Sequence, residues 1–298
     1  MKIIPICDLH EQLNTAPTAI ALGNFDGVHL GHQALIARTL CQGERSAVFT
    51  FEDRLAGIIT PLCEKARLFE ALGVEYLFVA PFSLFKGESP ESFVRYLVKK
   101  LGASRLVCGY NFRFGKGAVG TPALLQALAE ENGVTAEIEA EVTERGENVS
   151  STHIRTLLDQ GELAHAEALL GHPYTLVGKV VRGYGIGKTL SFATLNLDLY
   201  ADALVPHGVY ISEATIDGAR YPAITNIGSN PTFNRDKISC ETHLLDTAGE
   251  FYEKRVSLRL LSYMRGERTF ASPEELKKQV LADVETARAF HQKGGKSV

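Results

Sequence analysis

In the first half of the chain, short runs of consecutive apolar residues alternate with segments of helical spacing. TAIALG (Thr18 to Gly23), SAVFTF (Ser46 to Phe51), VEYLFVAPF (Val74 to Phe82) and SRLVCGY (Ser104 to Tyr110) are the runs, and they read as strands covered on both faces. Between them, LGHQALIARTL (Leu30 to Leu40), KARLFEALG (Lys65 to Gly73) and SPESFVRYLVKKLG (Ser89 to Gly102) return apolar residues at helical intervals. The last of these predicts its own ends, with Ser89 as N-cap, Pro90 at the first helical position and Gly102 as the stop. Strand–helix alternation of this kind predicts an α/β domain with a doubly wound parallel sheet and its ligand at the carboxyl ends of the strands.

From about Gly171 the period changes. KVVRGYGIGKTL, HGVYISEATIDGARYPAITNIGS and RVSLRLLSYM read as short strands punctuated by Gly, Pro and Asn. Helical spacing returns only in SPEELKKQVLADVETARAFH (Ser272 to His291), which opens on an N-cap Ser272, Pro273 and two glutamates. The second half therefore predicts a β-barrel or sandwich closed by a terminal helix. Between the halves, IRTLLDQGELAHAEALLG (Ile154 to Gly171) predicts two short helices broken at Gly161. The expected domains are residues 1–157 and 158–298, and the tail KGGKSV is expected to be disordered.

Composition narrows the class without changing this picture. At 298 residues the chain suits two domains of roughly 150 residues each. With 45% hydrophobic and 22% charged residues it can bury a core unaided. A net charge of −4 argues against nucleic acid or a membrane surface as partner. The longest apolar stretch, Tyr76 to Phe85, falls short of the about 20 residues that span a bilayer. MKIIPICDLHEQ lacks the apolar segment of a secretory signal, and the five cysteines are scattered with no CxxC spacing. A cytoplasmic protein without disulfides or a zinc site is the expectation.

The chemistry concentrates where the first strand meets the first helix, in GNFDGVHLGH (Gly23 to His32). A glycine turn feeding a helix N-terminus offers free amides and the positive end of a helix dipole to an anion. His29 and His32, three apart, share one face of the first helical turn, where imidazoles can donate to phosphate oxygens. Gly31 removes a side chain between them. Read bare, the segment is also compatible with an ordinary β–α turn bearing two surface histidines. In the same way VSSTHIR (Val149 to Arg155) is either a phosphate cradle or a plain N-cap, and RGYGIGKTL (Arg182 to Leu190) either a phosphate loop or a hairpin turn.

GNFDGVHLGH resembles the HxGH signature of nucleotidylyltransferases, and in its longer form the adenylyltransferase module of the bacterial bifunctional riboflavin kinase/FMN adenylyltransferases. Further matches follow in the same order: GYNFRFGKGAVG (Gly109 to Gly120), VSSTHIR, LGHPYTLVGKVV (Leu169 to Val181), VPHGVY (Val205 to Tyr210), NIGSNPTF (Asn226 to Phe233), CETHLLD (Cys240 to Asp246) and MRGERTF (Met264 to Phe270). The resemblance implies that riboflavin is phosphorylated to FMN and FMN adenylylated to FAD, with ATP as co-substrate and Mg²⁺ as cofactor. It implies catalytic roles for His29, His32 and Glu241. It assigns ATP and phosphate binding to Gly23, Asn24, Asp26, Gly31, Ser150, Ser151, Thr152, Arg155, Gly183, Gly187 and Lys188. Flavin binding falls to Asn111, Arg113 and Arg265, and the metal to Thr194 and Asn196.

Four segments depart from the family pattern. SFATLNL (Ser191 to Leu197) stands in place of GFPTANL, and FEDRL (Phe51 to Leu55) in place of FEPHP. Asn111 occupies a position where Asp is common, and His153 one where Arg is common. Two narrower readings therefore stand beside the bifunctional enzyme. One is an FMN adenylyltransferase whose second module has lost phosphorylation, the other a non-catalytic flavin- or nucleotide-binding protein. The expected partners are small molecules, with the chain a monomer or weak homo-oligomer.

Overall fold

The strand order of the first half follows from its apolar runs. In this computed structural model, which describes residues 1–10, 12, 16–41, 43–52, 57–182, 194–229, 238–247 and 249–293, the chain divides into two compact units. The first takes the described residues up to 154 together with 168–171, less 57–59. The second takes 57–59, 155–167 and the described residues from 172 onward.

In the first unit six parallel strands form one sheet in the order β1-β4-β3-β2-β5-β6. They are β1 (Lys2–Pro5), β2 (Thr18–Leu22), β3 (Arg45–Phe51), β4 (Tyr76–Ala80), β5 (Ala103–Gly109) and β6 (Thr135–Glu139). The helices are α1 (Leu30–Ala37), α2 (Leu62–Ala71), α3 (Phe82–Phe85), α4 (Pro90–Leu101) and α5 (Pro122–Glu131). Side-chain alternation sends the strands into two cores. Ile20 and Leu22 of β2 pack with Phe93 and Leu97 of α4 and Leu125 of α5, whereas Ala21 joins Leu35 and Ile36 of α1 and Phe69 of α2. The sheet is thus covered on both faces, the doubly wound arrangement expected. The strand order reverses beside β2, which is flanked by β3 and β5, and such a switch point opens a crevice at the carboxyl edge. The segment after β2 is GNFDGVHLGH.

Caps set the helix ends. Ser89 accepts from the Ser92 amide at the start of α4, and Gly102 ends that helix in the left-handed region at φ 70°. The short hairpin β7 (Thr143–Glu144) and β8 (Glu147–Asn148) leads to α6 (Ser151–Asp159) and α7 (Leu163–Leu170), separated at Gly161 with φ 79°.

The second unit is a closed antiparallel barrel in the order β10-β13-β12-β11-β14-β9, with β9 pairing back onto β10. Its strands are β9 (Thr175–Val181), β10 (Thr194–Leu199), β11 (Gly208–Ile216), β12 (Ala219–Ser229), β13 (Ile238–Leu244) and β14 (Arg255–Arg265). Alternate residues fill it: Tyr210 and Ser212 of β11, Thr225 and Ile227 of β12, and Cys240 and Thr242 of β13 are all buried. Helix α8 (Pro273–Gln292) packs on β12, its first turn capped by Ser272, which accepts from the Glu275 amide at 3.2 Å. The tail from 294 lies outside the described residues.

Candidate functional site

The turn after β2 holds a backbone that side chains rarely adopt. Phe25, Gly27 and Val28 have φ of 52°, 88° and 43°. For the β-branched Val28 the left-handed region is a strained conformation that surrounding structure must hold in place. Four contacts do so. The Val28 amide donates to Phe25 O at 3.1 Å. The buried Asp26 carboxylate accepts from the Thr60 amide at 3.2 Å. Thr50 Oγ1 and Lys65 Nζ donate to Asn24 O at 3.2 and 3.4 Å.

His29 then caps α1, its Nδ1 accepting from the His32 amide at 3.3 Å. That acceptor role puts the proton of the neutral ring on Nε2. The rings of His29 and His32 stack at 3.6 Å, and Phe25 lies tilted against His32 at 5.2 Å. Burial, then the neighbouring His29 and the Lys65 ammonium, hold the His32 imidazole well below its usual pKa, so the ring is neutral. A Cβ on Gly31 would stand 3.3 Å from the His29 ring, so only glycine leaves the stack undisturbed.

A second helix start meets this turn. Ser150 Oγ accepts from the His153 amide at 3.2 Å, and Ser151 Oγ donates to Asp26 O at 2.8 Å. The N-termini of α1 and α6 therefore converge on one glycine turn and bring two positive dipole ends to it. Gly109 ends β5, the strand beside β2, and Asn111 follows it at the same carboxyl edge.

In the second unit the register builds a row across five strands. Asn196 of β10 faces Glu241 of β13, Glu241 faces Asn226 of β12, Asn226 faces Val209 of β11, and Val209 faces Arg265 of β14. Two residues along, Thr194, His243 and Ile224 form a parallel row on the same side. All of these residues except Asn196 line a cavity of about 410 Å³ between the outer wall of the barrel and α8. Thr194, Asn226, Glu241, His243 and Arg265 line its polar side, and Leu276, Val280 and Val284 of α8 its apolar side. A cavity of that size, mostly apolar with a few convergent polar groups, suits a small organic molecule.

Comparison with known proteins assigns both units. Residues 11–153 match the FAD synthetase family and residues 170–291 the riboflavin kinase family. A bifunctional riboflavin kinase/FMN adenylyltransferase of Escherichia coli (strain K12) is 36% identical over 299 residues, covering 94% of this chain and 96% of that protein. The chain belongs to the bifunctional riboflavin kinase/FMN adenylyltransferase family. Its relative in Bacillus subtilis (strain 168) is 33% identical over 308 residues, 96% of this chain and 97% of that one. The crystal structure of a macrolide-efflux protein from Streptococcus pneumoniae has the same architecture, with a TM-score of 0.82 and 27% identity over 96% of this chain and 98% of that one.

Within this family member, the residues singled out from the sequence separate by place. Gly23, Asn24, Asp26, His29, Gly31, His32, Ser150 and Ser151 come together at the glycine turn. Thr152 is an exposed first-turn residue of α6, and Asn111 and Arg113 are exposed after β5, with Arg113 Nη1 on Phe112 O at 2.9 Å. Arg155 groups with the second unit, where its Nε donates to Gly57 O at 2.7 Å. Thr194, Glu241 and Arg265 line the barrel cavity, and Asn196 stands next to Glu241 in the row. Gly183, Gly187 and Lys188 lie outside the described residues, as do Ser191 to Ala193 and part of FEDRL.

Four residues at these sites escaped the sequence reading. Lys65 is buried beneath the glycine turn, 41 positions from Asn24, and nothing local marks it. His243, two residues beyond Glu241 on β13, lines the cavity beside Thr194. Asn226 and Asp283 join the cavity through strand register and through α8. Alternation from Glu241 was the signal available for His243.

Proposed function

We propose that the chain makes flavin cofactors in two ATP-dependent steps, riboflavin to FMN in the second unit and FMN to FAD in the first. For adenylyl transfer, an FMN phosphate oxygen bonds to the α-phosphorus of ATP as the bond to pyrophosphate breaks. Both reactants are polyanions, so alignment and charge neutralisation carry the catalysis. The converging helix starts at the glycine turn, with the stacked His29 and His32 rings beside them, suit that task. The neutral His32 can take up a proton as triphosphate charge arrives beside it.

For phosphorylation, the riboflavin 5′-hydroxyl bonds to the γ-phosphorus of ATP, ADP leaves, and Glu241 accepts the hydroxyl proton. Thr194 and Asn196 offer a hydroxyl and an amide oxygen on one strand face, hard donors that suit Mg²⁺ when phosphate oxygens complete its shell. Among the described residues no cluster of three His, Cys, Asp or Glu could hold a metal by itself. Mg²⁺ bound there would neutralise the phosphates; the protein's part is to present the two oxygens and the base.

The observation that carries the two-step reading over adenylylation alone is Glu241 standing between Asn196 and Asn226 on the cavity wall. Purified protein given riboflavin, ATP and Mg²⁺ is expected to accumulate FMN and then FAD, resolved by chromatography. FAD from FMN with nothing from riboflavin would leave the adenylyltransferase alone, and neither product would end the proposal. Among the described residues no helix is long and apolar enough to cross a membrane. We place the enzyme in the cytoplasm, acting on small molecules as a monomer or weak homo-oligomer.

A further inference from the structure

Arg265, expected from sequence to bind flavin, is already engaged. Its Nε lies 3.3 and 3.1 Å from the two carboxylate oxygens of Asp283, and its Nη2 lies 2.7 Å from Oδ2. Nη1 donates to Gly266 O at 3.1 Å, so all three guanidinium nitrogens hold protein partners. Gln279, one turn before Asp283 on α8, donates to Asp283 Oδ1 at 2.8 Å. The side chains of Arg265 and Asp283 are only 14% and 8% exposed, and both line the barrel cavity.

This pair joins the end of β14 to the middle of α8. Leu276, Val280 and Val284, spaced four apart, form a stripe facing the cavity beside Asp283. Apolar contacts alone let a helix slide or rotate at small cost, because they have no preferred direction. A two-point guanidinium–carboxylate contact in a site of low dielectric fixes distance and rotation together.

We propose that Asp283 is a positioning residue for riboflavin phosphorylation: by gripping Arg265 from α8 it fixes that helix as the apolar wall on which the flavin ring rests. It sets riboflavin affinity and leaves the chemistry at Glu241 to other groups. The proposal rests on the reading of this cavity as the kinase site. Arg265 then serves the flavin through α8 and not by direct contact.

The test uses the full chain. Asp283→Asn keeps the shape and removes the charge. It is expected to raise the KM for riboflavin about tenfold while kcat stays within twofold. The labelling rate of the buried Cys240 thiol, which reports the barrel's own opening, serves as the control for folding of the second unit. Gln279→Leu, which removes the bond to Asp283 and a longer one of 3.4 Å accepted from Arg268 but spares the ion pair, is expected to raise the same KM two- to threefold. Were Asp283→Asn too poorly folded to assay, an unchanged KM in Gln279→Leu would overturn the proposal. So would a fall in kcat as large as the rise in KM, or a lowered Tm with KM unchanged. Glu241→Gln separates this from the site reading. It should abolish FMN formation while riboflavin still binds, measured by flavin fluorescence. Full turnover in Glu241→Gln would sink the kinase reading itself, whereas an inactive Glu241→Gln beside an unaffected Asp283→Asn would sink the clamp alone.

Discussion

His32 is a histidine that folding makes harder to protonate, and the cause is local. Burial weighs most, followed by the stacked His29 ring and the Lys65 ammonium. In the unfolded chain the same ring titrates near its ordinary value of about 6.5. Between that value and its lower folded value the unfolded chain binds more protons, so stability is full above pH 6.5 and falls as pH drops through that window. The fall is at most about 1.4 kcal/mol for each pH unit of the window, and it levels off below the folded value. His32→Gln lacks this proton, so its urea midpoint should fall less than that of the wild type between pH 7.5 and 5.5. Parallel losses in the two proteins would mean that His32 is not held neutral. Lys65→Met keeps the buried stem and removes the charge, so the His32 C2 proton should titrate at higher pH in its NMR spectrum. An unmoved titration would refute the part given to Lys65.

Elements whose ends carry their own chemistry were legible in the sequence; those defined by distant partners were not. Ser89, Pro90 and Gly102 announce α4, and Ser272 announces α8, because capping is satisfied within a few residues. Helix α5 carries the same signal at Thr121 and Pro122, and the sequence reading passed over it. The edge strands β1 and β6 escaped because one is four residues long and the other alternates polar residues at a half-covered edge. The glycine turn was legible because β2, the turn and α1 are consecutive. The row through Asn196, Glu241 and Asn226 was not, since it depends on β10, β13 and β12 pairing in an order the chain does not follow. Inside that barrel a second non-local feature ties three strands. Ser212, Thr225 and Thr242, all fully buried, form a hydroxyl chain with links of 2.8 and 2.9 Å. Thr225→Val preserves shape and removes both links, leaving two buried hydroxyls short of a partner. The expected loss is about 1–3 kcal/mol, seen as a lower denaturant midpoint with an unchanged m-value. No change in midpoint would show that the chain of hydroxyls adds nothing to the barrel.

On the scale of the whole molecule, each unit encloses its own apolar interior, and each interior contains one deeply buried thiol. Cys108 lies in the sheet core of the first unit and Cys240 inside the barrel, whereas Cys7 and Cys41 are exposed. Burial pushes the Cys108 thiol up to about 11 and that of Cys240 to about 12. Because the thiolate is the reactive form, these two are shielded both by packing and by protonation. Labelling with a thiol reagent should therefore be immediate at Cys7 and Cys41, and at Cys108 and Cys240 should wait for the surrounding unit to open. When reclosing is fast, the slow rates report the free energy of opening of each core separately. A ligand at one hundred times its Kd stabilises the state it binds by about 2.7 kcal/mol, equivalent to roughly a hundredfold slowing. With the riboflavin site proposed for the barrel unit, riboflavin should slow labelling of Cys240 by that factor and leave Cys108 unchanged, followed site by site with mass spectrometry. Equal protection of both thiols would mean that the two interiors open as one cooperative body. Protection of Cys108 alone would move the riboflavin site to the first unit and take the assignment of the two steps with it.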